Sequence, residues 1–249
     1  MPDLVRDDAP PAVDLLAIVA HRDDAELLCG GTLARAAAQG YRTGILDLTQ
    51  GEMGSAGSAG LRGSEADRAA EILEVTARRN AGFPDAGLEN TPATREHLAR
   101  LIRAFRPRVV ILPYINGRHP DHRIAAQLGY DACFLAGLAK LPIEGEPHRP
   151  EKILYALSYR EDPVKPTFVV DITAQMEIKM QAIACYHSQF HGKTWAGEVF
   201  PGGDRPLYEQ VRIHAGRAGS LIRTEYGEPF HTAETMKVDD VMTLGVRSI

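Results

Sequence analysis

The chain has 249 residues, 44% hydrophobic and 24% charged, enough to bury one substantial core. Its formal net charge of -5 leaves no broad positive field, and no Lys/Arg cluster forms an arm for phosphate backbones, so nucleic acid is excluded as a partner. No stretch approaches ~18 uninterrupted apolar residues, and Asp3, Asp7 and Asp8 stand where a signal peptide would be basic, so the expectation is a soluble, cytoplasmic protein with no membrane partner.

Residues 1–12, rich in Asp, Pro and Ala, read as a flexible leader, and residues 13–249 as a single domain. Val13–Ala20 is almost wholly apolar, the character of a strand buried on both faces of a parallel sheet. Glu26–Gln39 carries apolar residues at helical spacing and is followed by Gly40, a helix-ending glycine. Tyr41–Leu48 is the next strand, which completes a strand-helix-strand unit with a right-handed crossover.

Thr49–Gly63 is rich in glycine and serine and reads as a loop at the end of that strand, a place where loops carry function. Helices are expected over Arg62–Glu74 and Ala93–Phe105, the second opened by Thr91 as N-cap and Pro92 at its first position, and stopped by Pro107. Arg108–Tyr114 is another buried strand, followed by a helix over Arg123–Lys140. Ile153–Tyr159 and Phe168–Ile172 read as strands, Thr173–Phe190 and Pro206–Leu221 as helices, and the remainder as an irregular tail. Such alternation predicts a Rossmann-like α/β fold: an open, mostly parallel sheet with helices on both faces. Ligands of that architecture bind beyond the carboxyl ends of the strands, near where strand order reverses. Cys29, Cys133 and Cys185 are odd in number, far apart and set in apolar helical patterns, which predicts buried small hydrophobes.

Two polar turns follow buried strands directly. The first is His21-Arg22-Asp23-Asp24-Ala25-Glu26, whose imidazole and adjacent carboxylates are too costly to pack at an apolar strand end without a partner. The second is His119-Pro120-Asp121-His122, stiffened by Pro120. Either turn alone could be a helix start with Asp near the dipole. Together they offer nitrogen and oxygen ligands from two strand ends, the donor set of a catalytic zinc with one open position. Adjacent carboxylates allow one to bind the metal while its neighbour takes a proton from the attacking water. Arg118, just ahead of the second turn, has a planar fork suited to a substrate carboxylate.

These residues resemble the LmbE-like, or PIG-L, family of zinc-dependent N-acetylglucosamine deacetylases. Its signatures are an AHPDDE-like segment after the first strand and an HPDH-like segment after a later one. The chain departs at Arg22, where the family has proline, and at Ala25, inserted before Glu26. The resemblance implies His21, Asp24 and His122 as ligands of one Zn²⁺ per chain, Asp23 as general base, and His119, oriented by Asp121, as oxyanion partner or acid. Further segments, from Asp47 through Glu52, Leu61-Arg62, Asn80 to Leu88, Pro147-His148-Arg149 and Tyr186 to Phe190, resemble the bacillithiol-biosynthesis branch. That branch implies N-acetylglucosaminyl malate as substrate, Arg62 near it, Tyr226 at the oxyanion, and a homo-oligomer. The same ligands suit Fe²⁺ or Co²⁺. A phosphoester hydrolase is disfavoured because ligands for a single metal are visible, and a Rossmann nucleotide binder because HRDDAE occupies the place of GxGxxG.

Overall fold

The computed structural model describes residues 10–54, 57–157, 164–190 and 206–246. Most of the expected leader, and the end of the strand expected over Ile153–Tyr159, lie outside them.

The sheet has seven strands: β1 (Leu15–Val19), β2 (Thr43–Thr49), β3 (Ala77–Phe83), β4 (Val109–Pro113), β5 (Lys152–Ala156), β6 (Phe168–Asp171) and β7 (Gly227–His231), in the order β3-β2-β1-β4-β5-β7-β6. The first five run parallel, with Leu15 opposite both Thr43 and Val109, whereas β7 is antiparallel to both of its neighbours. The mostly parallel expectation therefore holds.

Every residue of β1 and β2 is buried. Leu16, Ile18, Leu46, Leu48, Val110 and Leu112 point to one face, against Leu98, Ile102 and Phe105 of α3 (Pro92–Phe105) and Leu128 of α4 (Pro120–Ala136). Ala17, Val19, Ile45 and Ile111 point to the other, against Leu28 and Leu33 of α1 (Asp24–Ala38), Ala69 of α2 (Ala59–Ile72) and Ala182 of α5 (Met176–Ala184). Helices cover both faces, which is why these strands are mostly apolar along their length. Among the described residues no helix is long and apolar enough to cross a membrane.

Most boundaries shift by a few residues, and some shifts matter for the site. α2 begins at Ala59, because Ser58 accepts the Leu61 N–H and caps it earlier than the apolar pattern starts. α4 begins at Pro120, so the second polar turn is itself the first turn of a helix, and it ends at Ala136 before Gly137. The helix expected over Thr173–Phe190 is interrupted: a 3₁₀ turn (Thr173–Gln175) precedes α5, and Cys185 and Tyr186 separate α5 from the single turn α6 (His187–Phe190). A last helix, α7, spans Leu207–Ser220.

Two strands escaped the sequence reading. β3 has the sequence ARRNAGF and an edge position, and its Arg78 is buried only because it pairs with Asp47 at 2.8 Å and Glu26 at 2.6 Å. β7 has the sequence GEPFH, which lacks any strand periodicity, yet it sits inside the sheet between β5 and β6. Its Pro229 needs no amide donor there, while its carbonyl accepts from Leu157 at 2.9 Å. The three cysteines are buried and unpaired, as expected.

Candidate active site

The chain leaves β1 towards β2 and leaves β4 towards β5 on the opposite side, so the crevice between β1 and β4 is the point where strand order reverses. Both polar turns end there. His21 follows β1, Asp23 is the N-cap of α1 and Asp24 its first residue; His119 is the N-cap of α4.

Asp24 is the centre of the cluster. It is buried, its Oδ2 accepts the backbone N–H of His21 at 2.8 Å, and the same oxygen lies 3.4 Å from His21 Nδ1 and 3.1 Å from His122 Nε2. Burial alone would raise its pKa, but the His122 and His21 rings hold its carboxyl well below the usual range. Two donors bound to one tetrahedral ion at 2.0–2.1 Å stand roughly 3.3 Å apart. The two separations from Asp24 match that edge length, so His21 with Asp24, and Asp24 with His122, each fit as two donors to one ion.

The opposite side of the His21 ring is also held. Its Nε2 lies 3.3 Å from Asp121 Oδ2 and 3.2 Å from Asp85 Oδ1. A carboxylate on the far nitrogen fixes the tautomer and orientation of a ligating histidine. Against the opposing effect of burial, Asp121, Asp24 and Asp85 raise the His21 pKa well above its ordinary value. Asp85 is itself fixed by the Met53 N–H at 2.9 Å, and the His21 and Met53 hydrogen bonds hold it down at about 2 despite its desolvation. Asp85 was assigned no role from sequence, because the strand that delivers its loop was not recognised.

Asp23 adopts φ 109°, ψ -25°, a left-handed conformation costing on the order of 1–3 kcal/mol in a non-glycine residue. Strain of this kind persists where the surroundings over-determine it, and Arg62 does so here. Its Nη2 lies 3.0 Å from Asp23 Oδ2 and donates to the Arg22 carbonyl at 2.7 Å, while Nη1 donates to the Gly51 carbonyl at 2.9 Å. Burial pushes the Asp23 carboxyl up to about 7, against the pull of the Arg62 charge. Gly51 has φ +70°, and a Cβ there would stand 2.1 Å from Arg62 Nη1, so only glycine lets the loop close over the guanidinium. Arg62, expected near the substrate, is buried, with its Nη donors on the Asp23 carboxylate and the two carbonyls. Arg22, at the position where the family has proline, is buried and ties the turn to the start of α2 through the Ala59 carbonyl at 2.7 Å.

His119 is exposed, and its ring stands 4.8 Å from that of His21 and 5.1 Å from that of His122. Its Nδ1 accepts the Asp121 backbone N–H at 3.2 Å, so in the neutral ring the proton lies on Nε2. Partial desolvation of the ring and the neighbouring His21 and His122 lower its pKa, favouring that neutral form. Asp121 thus touches His119 through its main-chain N–H, while its carboxylate serves His21 and the Ala86 N–H. Ring and carboxylate atoms of His21, His119 and His122, and of His21, Asp85 and Asp121, each fall within 4.8 Å of one another.

Arg118 is exposed on the turn before His119. Tyr226, half-buried before β7, packs on the cluster that holds Leu27, Ile172 and Met176, and Arg212 hydrogen-bonds its side chain.

Residues 16–133 match the PIG-L family model, described as GlcNAc-PI de-N-acetylase. A diacetylchitobiose deacetylase of Thermococcus kodakarensis is 33% identical over 198 residues, covering 73% of this chain and 72% of that protein. A 1D-myo-inositol 2-acetamido-2-deoxy-alpha-D-glucopyranoside deacetylase of Rhodococcus erythropolis is 31% identical over 59% of this chain and 61% of its own length. The solved structure of the conserved protein TT1542 from Thermus thermophilus superposes with a TM-score of 0.81 at 42% identity, covering 91% of this chain and 97% of that one. The chain belongs to the PIG-L family of deacetylases.

Proposed function

We propose that this protein is a zinc-dependent N-deacetylase that hydrolyses the acetamide of an N-acetylglucosaminyl conjugate, with N-acetylglucosaminyl malate as the substrate. The observation that carries the reading is the position of Asp24 Oδ2 between His21 Nδ1 and His122 Nε2, with the strained Asp23 beside it. The two relatives named above act, by their names, on substrates that carry an N-acetylated glucosamine unit.

His21, Asp24 and His122 are the side chains assigned to hold the ion. Asp24 is preferred over His119 as the third ligand, because it is buried and touches both rings, whereas His119 is exposed. When bound, zinc supplies Lewis-acid polarisation of the acetyl carbonyl and activation of water at neutral pH. The Asp23 carboxylate removes a proton from the water as its oxygen bonds to the acetyl carbon. His119 Nε2–H donates to the carbonyl oxygen as negative charge develops there, a type of contact worth about 3–4 kcal/mol to the transition state. The C–N bond then breaks, the nitrogen is protonated by Asp23 or His119, and acetate and the free amine leave. Arg62 keeps the Asp23 carboxylate aimed into the crevice, and Arg118 is the cation assigned to the malate carboxylates. The resemblance also makes a homo-oligomer the expected assembly.

The test is to incubate zinc-loaded protein with N-acetylglucosaminyl malate, N,N′-diacetylchitobiose and free N-acetylglucosamine, and to measure amine and acetate released. Release from the malate conjugate at the highest kcat/KM is expected. Release only from diacetylchitobiose would remove the malate assignment, and no release from any of the three would remove the deacetylase itself.

A further inference from the structure

Helix α1 is two helices. At Cys29 the backbone leaves the helical region, with φ -147° and ψ 19°, and separates the turn 24–28 from the longer segment after it. Such a break leaves carbonyls of the first piece and N–H groups of the second without helical partners, and here both ends are buried.

One ion pair serves both. Lys179, on α5, donates from Nζ to the Leu27 carbonyl at 2.8 Å and lies 2.6 Å from Glu228 Oε1. Glu228, on β7, accepts the Gly31 N–H at 2.9 Å, and with its other oxygen the Thr32 N–H at 2.7 Å and the Thr32 hydroxyl at 2.6 Å. The cation therefore stands at a helix C-terminal end and the anion at an N-terminal end, the favourable sense for both dipoles. Their relative exposures are 2% and 1%. An ion pair this deep is a poor source of stability, since apolar residues of equal volume usually do as well. What apolar residues cannot do is hold two broken helix ends at a fixed angle. Gly31, just after the break, packs against Ile172 ahead of the 3₁₀ turn: a Cβ there would stand 2.8 Å from its side chain.

The turn isolated by the break carries Asp24, with Asp23 at its cap. Glu26 in the same turn is anchored separately, by Arg78 at 2.6 Å and the Tyr186 hydroxyl at 3.0 Å. We infer that Lys179 and Glu228 are positioning residues of the metal site, fixing the angle of this turn so that Asp24 Oδ2 meets both His21 and His122. The inference rests on the metal reading proposed above.

Co²⁺ titration of the full chain, following the visible d–d bands and competing with a chelator, reads the site directly. Glu228→Gln and Lys179→Met are expected to weaken Co²⁺ binding about 10–100-fold and to alter the bands. Leu33→Ala, in the second segment of α1, serves as a control that lowers Tm while leaving affinity and bands unchanged. Wild-type affinity and bands in both charge variants, or equal weakening in Leu33→Ala, would overturn the inference. Hydrogen exchange of the metal-free protein reads the same geometry without an ion: amides 24–28 should exchange about tenfold faster in Glu228→Gln than in wild type or Leu33→Ala. A wild-type protein that binds no Co²⁺ would remove the metal reading, and exchange would then decide the positioning role alone, unchanged exchange overturning it.

Discussion

Arg62 Nη2 holds the Asp23 carboxylate at 3.0 Å and also donates to the Arg22 carbonyl, while Nη1 donates to that of Gly51, so one guanidinium fixes the strained residue, its turn and the glycine loop together. Lysine offers a point charge in place of that fork. Arg62→Lys is therefore expected to lower kcat by about 10–100-fold with KM and bound metal little changed. Steady-state kinetics and elemental analysis check the split; an unchanged kcat would remove the positioning role of Arg62.

Asp23→Asn keeps the size of the side chain and a residue type that tolerates positive φ, so the backbone at φ 109° survives. It removes the proton acceptor. Turnover should fall by about 10²–10⁴-fold while one metal per chain is retained. An active variant would show that the base is elsewhere.

Gly51→Ala places a methyl 2.1 Å from Arg62 Nη1 at a φ of +70°. Both the clash and the dihedral oppose it, and a loss of about 1–3 kcal/mol is expected in urea unfolding. An alanine variant as stable as wild type would mean that the loop does not close over Arg62.

Asp121→Asn removes the carboxylate charge from His21 Nε2, 3.3 Å away, and the acceptor best suited to the Ala86 N–H. Metal affinity should drop about 10–100-fold, as for other partners behind a ligating histidine. Chelator competition measures it.

Cys133 has its thiol pushed up to about 12 by burial. An unfolded thiol ionises near ~8.5, so between that pH and 12 the unfolded chain binds fewer protons than the folded one. The contribution is intact below ~8.5 and is lost at up to about 1.4 kcal/mol per pH unit above it. Urea midpoints should accordingly fall between pH 9 and 11 and be partly rescued in Cys133→Ala, while alkylation of the native protein at pH 8 should spare Cys133.

The central strands, their covering helices and the two polar turns were legible because each is a local pattern. A strand buried on both faces is mostly apolar, as β1 is throughout and β2 is apart from Thr43, Asp47 and Thr49, and a run of ionisable residues at such a strand's end needs partners. β3 and β7 were illegible for the converse reason. Arg78 becomes a core residue only through Asp47 and Glu26, and Glu228 only through Lys179 and the broken end of α1.

By itself, then, the sequence determined the mostly parallel α/β plan and the two polar turns at strand ends, since hydrophobic periodicity and residue chemistry are written along the chain, while the choice of His21, Asp24 and His122 within those turns came from the family resemblance. The tertiary structure decided which side chains stand behind that constellation: Asp85 and Asp121 on His21, Arg62 on Asp23, Lys179 and Glu228 on the first turn of α1. A buried charge is tolerable only when its partner arrives, and these partners come from distant segments whose meeting no local periodicity encodes.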